Sequence, residues 1–299
     1  MIHGIINVYK EKGFTSHDVV AKLRGIVGQK KIGHTGTLDP DATGVLPVCL
    51  GKATKLCDLL TDKNKTYEAV LLLGKTTDTQ DITGEVLEEK STEALTEEKV
   101  REAIEGFIGD YEQIPPMYSA LKVNGKKLYE LAREGKVIER KARPVKILDI
   151  QILEIDLPKV RMEVSCSKGT YIRTLCHDIG EKLGCGGCME SLIRTRVSTF
   201  WIEDAKTLDE IETLKQEGKL AELLVPIDAM FPSYPKITVK DDWKAFAKNG
   251  NPLDLKMLKE ACGQDEETQV RLYDESGKFI AIYQWKEKKY HIVKMFFNE

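Results

Sequence analysis

Gly33-His34-Thr35-Gly36-Thr37-Leu38-Asp39-Pro40-Asp41-Ala42-Thr43-Gly44 is too rich in glycine and turn formers to be regular structure, so it reads as a loop. Within it, Pro40 biases Asp39 away from helical geometry, and the glycines let another backbone approach closely. Such a loop can present a carboxylate. An aspartate is ionised at neutral pH, ready to act as a nucleophile or as a base without special activation. The same residues also suit a turn in which Asp39 only shapes the chain.

Working outward, residues 4–9 read as a strand, and Ser16 can cap a helix whose Val19, Val20, Leu23, Ile26 and Val27 share one face. Beyond the loop, residues 45–50 are strand-like, 53–60 helical and 67–73 strand-like. Thr96 caps an amphipathic helix carrying Val100, Ala103, Ile104, Phe107 and Ile108. Asn124-Gly125 signals a hairpin, residues 145–155 and 160–166 read as paired strands, and 170–183 as a helix with Ile172, Leu175, Ile179 and Leu183 inward. Arg173 lies off that stripe and can point away from the core toward an anion. Two prolines in Phe231-Pro232-Ser233-Tyr234-Pro235 mark a boundary, and the apolar pieces 269–273, 279–285 and 291–296 beyond it suggest a small β-rich module. The class is α+β, a mixed α/β arrangement.

The chain has 299 residues, enough for two domains and a sizeable core, and 41% hydrophobic with 31% charged residues excludes global disorder. A net charge of −3 argues against a general polyanion binder, yet sign is segregated along the chain. Residues 117–147 carry nine basic side chains (Lys122, Lys126, Lys127, Arg133, Lys136, Arg140, Lys141, Arg143, Lys146) against three glutamates, whereas 85–105 carry eight glutamates. Seven scattered cysteines and no signal-like start suggest a reducing cytoplasm, and no apolar run reaches membrane-spanning length. Cys185 and Cys188 form one CxxC, weak evidence for zinc without a second ligand pair.

The string from Gly33 through Gly44, continued by Val45-Leu46-Pro47, closely resembles the catalytic motif of bacterial tRNA pseudouridine-55 synthases, the TruB-type family. Further matches follow in the family's order: Gly51-Lys52-Ala53-Thr54-Lys55, Lys65-Thr66-Tyr67, Gln113-Ile114-Pro115-Pro116-Met117-Tyr118-Ser119-Ala120-Leu121-Lys122, Cys166-Ser167-Lys168-Gly169-Thr170-Tyr171-Ile172-Arg173-Thr174 and Gly180-Glu181-Lys182-Leu183-Gly184. Lys248-Asn249-Gly250-Asn251-Pro252 and Gly277-Lys278-Phe279-Ile280-Ala281-Ile282 are similar to the family's C-terminal RNA-binding PUA module.

The resemblance implies a catalytic domain over residues 1–230, a largely antiparallel mixed sheet flanked by helices with an RNA-binding insertion around 75–147, and a PUA-like domain over 235–299. It implies an isomerase that breaks the N1–C1′ bond of a uridine and rejoins the base through C5, with no cofactor or metal. Asp39 becomes the catalytic aspartate, acting at the nucleoside or at the sugar. Arg173 pairs with it, which favours the charged form of a carboxylate. Tyr67 stacks on the uracil, His34 fills the place of the everted base, and Leu192 lines the pocket. Tyr171 joins the active site, while Lys55 and Lys168 contact phosphate or order the site. The implied partner is tRNA through its TΨC stem-loop, met by a monomer.

Two other readings of the same residues remain. Asp39-Pro40-Asp41-Ala42-Thr43 fits the DxDxT pattern of aspartate-nucleophile phosphatases, but that pattern should end an apolar parallel strand, and glycine-rich sequence precedes it here. A non-catalytic tRNA-binding or tRNA-folding protein could use the same surface, although a pure binder gains nothing from an acidic group beside a polyanion.

Overall fold

The computed structural model describes residues 1–123 and 125–297. Among them, thirteen strands precede the proline-rich boundary: β1 (Gly4–Lys10), β2 (Ile32–His34), β3 (Thr43–Leu50), β4 (Lys65–Leu73), β5 (Lys75–Thr77), β6 (Val86–Glu89), β7 (Gly109–Gln113), β8 (Lys122–Val123), β9 (Lys126–Lys127), β10 (Arg143–Asp156), β11 (Lys159–Cys166), β12 (Gly187–Val197) and β13 (Phe200–Trp201). Five follow it: β14 (Lys236–Val239), β15 (Leu258–Glu260), β16 (Gln269–Tyr273), β17 (Phe279–Lys286) and β18 (Lys289–Met295). The helices that matter to the site are α1 (Ser16–Val27), α2 (Cys57–Thr61), α3 (Glu97–Glu105), α4 (Leu128–Arg133), α5 (Ile172–Leu183) and α6 (Leu208–Gln216). The α+β class stands.

The large sheet runs β1-β3-β12-β4-β11-β10-β7, with β2 beside β3 and β13 beside β12. Its pairs are antiparallel except β3 with β12, which run parallel. On β4 the two-residue period puts Tyr67, Ala69, Leu71 and Leu73 on one buried face, against Val100 and Ile104 of α3 and Ile172, Leu175 and Ile179 of α5. β1 and β3 are instead apolar almost throughout because both faces are covered. Val19, Leu23 and Ile211 from α1 and α6 pack one face, and Ala53, Leu56, Phe200 and Phe231 pack the other.

The second sheet, β15-β14-β16-β17-β18, closes its own core around Ile237, Leu272, Tyr283, Trp285 and Tyr290. It is seated on the larger body, since Ile282 and Phe296 belong to the cluster that holds Leu56, Phe200 and Phe231.

Local departures from the sequence reading have identifiable causes. Thr15, not Ser16, caps α1: its hydroxyl accepts from Asp18 N while the Asp18 carboxylate accepts from Thr15 N. Residues 51–56 form a 3₁₀ turn that leads into the short α2, where one helix over 53–60 is expected. The loop is shorter than its glycines suggest, because β2 runs through His34 and β3 begins at Thr43. Asn124 of the expected hairpin lies outside the described residues, and on either side of it β8 and β9 pair antiparallel.

Candidate active site

Residues 35–42 connect β2 to β3, and side chains from elsewhere hold the loop by its backbone. Leu38 N donates to Ser16 Oγ at 2.9 Å, so the hydroxyl next to the helix cap fixes the residue before Asp39. On the other side, Lys10 Nζ donates to Pro40 O at 3.0 Å, and also to Phe14 O at 2.6 Å and Glu11 O at 3.1 Å. Leu38 and Ala42 are buried in the same cluster as Tyr67 and Ile172. The apolar neighbours of Asp39 anchor the loop while its carboxylate, 43% exposed, faces outward.

Arg173 meets that carboxylate, with Nη2 3.3 Å from Asp39 Oδ2. The sequence reading has Arg173 leave the apolar stripe of α5 toward an anion, and the guanidinium does meet a carboxylate, but in a buried setting: Arg173 is only 6% exposed. Its Nη2 also donates to Tyr118 O at 2.7 Å, and its Nη1 lies 3.7 Å from Asp81 Oδ2. Asp81 is itself fixed, because its Oδ1 accepts from Thr79 Oγ1 at 2.8 Å and Thr83 N at 3.0 Å. The guanidinium therefore bridges two carboxylates, only one of which is open to solvent. Asp81 and Tyr118 lie in the 75–147 region, which thus reaches the site.

Tyr67 is buried, and burial pushes its phenol pKa up. Arg194, directly opposite Tyr67 in the β4–β12 register, pulls the same phenol down. Leu192 pairs with Ala69 two residues further along and packs against the cluster that contains Tyr67. Tyr171 precedes α5, its backbone held by Gln113 at 2.8 and 2.9 Å and its ring 5.9 Å from the Arg173 guanidinium. His34, half-buried, has Nδ1 3.3 Å from Gly36 N and meets His17 edge-on at 5.3 Å. Burial, first, and His17 hold its pKa below the ordinary imidazole value.

The two lysines fall elsewhere. Lys55 Nζ donates to Met295 O at 2.7 Å, which places it at the joint with the second sheet. Lys168 makes an exposed ion pair with Asp62 at 2.9 Å, which leaves it in water. Cys185 and Cys188 are buried, and no group of three His, Cys, Asp or Glu among the described residues could hold a metal ion. No helix among them is long and apolar enough to cross a membrane.

Sequence reading misses Asp81, Lys10 and Arg194. Asp81 sits in a polar turn, Asp78-Thr79-Gln80-Asp81, that reads as solvated, and charged residues on strands read as exposed. Only the tertiary fold turns these groups inward.

The family model described as "TruB family pseudouridylate synthase (N terminal domain)" matches residues 24–172, and "tRNA pseudouridylate synthase B C-terminal domain" matches residues 173–232. The chain is 58% identical to a tRNA pseudouridine synthase B of Lachnoclostridium phytofermentans, over 99% of this chain and 100% of that protein. It is 45% identical to one of Bacillus pumilus, over 98% and 96%. Among solved structures, an H/ACA RNP bound to a substrate RNA containing 2′-deoxyuridine matches with a TM-score of 0.72 at 27% identity, covering 99% of this chain and 85% of the other. A Cbf5-Nop10-Gar1 complex gives a TM-score of 0.72 at 29% identity, covering 98% and 85%.

Proposed function

Because the chain belongs to the TruB family of pseudouridylate synthases, we propose that it converts the uridine at position 55 in the TΨC loop of tRNA to pseudouridine, with Asp39 as the reacting carboxylate. The observation that carries the reading is the half-open Asp39 carboxylate 3.3 Å from the buried Arg173 guanidinium, in a loop whose neighbours pack beside Tyr67.

The reaction has no net redox change: N1–C1′ breaks, C5–C1′ forms, C5 loses a proton and N1 gains one. A base stacked in a folded loop is out of reach, so the uridine is everted at a cost of a few kcal/mol. Tyr67 offers it an aromatic face, Leu192 an apolar wall, and His34 a ring to occupy the vacated stack. Arg173 fixes the direction of the Asp39 carboxylate without closing it to solvent. A planar, paired donor does this better than an ammonium. The exposed basic segment 117–147 tracks the phosphate backbone, and the 235–299 module, read as PUA-like, holds another part of the tRNA. Residues 1–230 form the catalytic unit, and the protein acts as a monomer in the cytoplasm, where tRNA is matured.

The test is Asp39→Asn incubated with an unmodified tRNA transcript, followed by mapping of pseudouridine at every position. Loss of modification with tRNA binding retained is the expected result. Unchanged modification would refute the role of Asp39, and an inert wild-type chain that still binds tRNA would favour a binding or folding protein.

A further inference from the structure

Arg194 is one of the largest fully buried side chains in the molecule. Burying a guanidinium is costly unless its hydrogen bonds are met. Arg194 directs them at main chain on both sides of the catalytic loop. Nε donates to Val45 O at 2.7 Å, just after the loop, and Nη1 to Thr37 O at 3.4 Å, two residues before Asp39. Nη2 is buried without a hydrogen-bond partner among the described residues.

The backbone of the same residue makes two more contacts. Arg194 pairs with Gly44 in the parallel β3–β12 ladder and with Tyr67 in the antiparallel β4–β12 ladder. The first approach is so close that a Cβ on Gly44 would stand 2.3 Å from Arg194 O. The second is a cross-strand pairing, in which side chains on one face touch. One residue thus meets the loop's entry, the loop's exit and the strand that carries the phenol.

We propose that Arg194 is a positioning residue for the isomerisation, holding the catalytic loop at both ends and setting it against Tyr67 so that carboxylate and phenol meet the everted base at a fixed separation. The inference rests on Asp39 being the reacting group. A buried arginine with a purely structural role would affect stability alone. A positioning arginine affects the rate of the bound complex, because a misplacement of about 1 Å can cost about 100-fold.

The experiment compares Arg194→Lys and Arg194→Met with wild type in three measurements: thermal midpoint, dissociation constant for a tRNA transcript, and single-turnover rate at saturating enzyme. The expected result for Arg194→Lys is a folded protein that binds tRNA within about threefold of wild type and reacts about 100-fold more slowly. In a Tyr67→Phe background, which keeps the ring and removes the hydroxyl on which Arg194 acts, the same change should cost at most about tenfold. A rate within threefold of wild type overturns the proposal. So does a loss matched by the dissociation constant, a full additive loss in the Tyr67→Phe background, or unfolding of both variants below the assay temperature. An active Asp39→Asn would instead defeat the reading of the site itself, so the two failures are distinguishable.

Discussion

Lys10 brings a charge beneath the Asp39 loop with no solvent exposure and three carbonyl acceptors. Burial pulls its pKa down from 10.5 to about 8, against the opposing pull of Asp39 and Asp41. Lys65, buried beside the site, is likewise lowered to about 8, chiefly by burial. Between those two values the unfolded chain holds a proton that the folded chain has released. Folding is therefore favoured as pH rises through the window, and that stability is lost as pH falls back through about 8. The predicted outcome is a larger unfolding free energy at the alkaline end of the window than at the neutral end, with part of the increase missing in Lys10→Met. Urea titrations at both ends measure it, and an identical increase in both proteins would contradict the assignment. Lys10 also shows why this part of the site is hidden in the sequence. Asp39 is legible because proline and glycine surround it, whereas Tyr9-Lys10-Glu11 reads as a strand running out into solvent.

At the scale of elements, the loop is gripped from outside by Ser16 and Lys10 as well as closed on itself by Ala42 N donating to Asp39 O at 3.1 Å. Ser16 shows how this escapes the sequence: Thr15 and Ser16 are adjacent hydroxyls, either able to cap α1, and the choice depends on Leu38 claiming the second. Long periodic elements such as β4 and α5 are legible because their burial pattern repeats. The contact between β3 and β12 is not, since it joins residues 150 positions apart. Gly44 is the element-scale test. Its φ of +104° disfavours any side chain, and a Cβ would meet Arg194 O at 2.3 Å. Strain and overpacking together put the cost of Gly44→Ala on the order of 3 kcal/mol. Gly13→Ala is the control: its φ is +87° but nothing lies within 4 Å of the added Cβ, so only the backbone cost of about 1–2 kcal/mol remains. Thermal or urea unfolding of the two variants should rank them in that order, and equal losses would remove the close β3–β12 approach as the cause.

Across the whole molecule, the second sheet is held by apolar contact and by Lys55 Nζ on Met295 O. Phe296, 2% exposed, packs beside Phe279 of its own sheet and across that joint against Phe231. Phe296→Ala should cost about 3–5 kcal/mol, read as a lower thermal midpoint. A second, earlier transition is the expected signature if the small sheet then melts alone. Rigid seating matters because the chain's charge is polarised despite its total of −3. Lys122, Arg133, Lys141, Arg143 and Lys146 are exposed in the basic segment, while Lys126 and Lys136 share Glu134 as an ion-pair partner. A phosphate backbone lying along this segment would release counterions, so tRNA affinity should fall linearly on a log-log plot against salt. Lys122→Ala and Lys141→Ala should each shrink that slope by roughly one unit and weaken binding at low salt. The single-turnover rate at saturating enzyme should stay unchanged, because neither lysine reaches Asp39. Titration of wild type and the two variants at several salt concentrations measures both quantities. A slope unaffected by either change would remove those two lysines from the docking surface and shift the search to the tail.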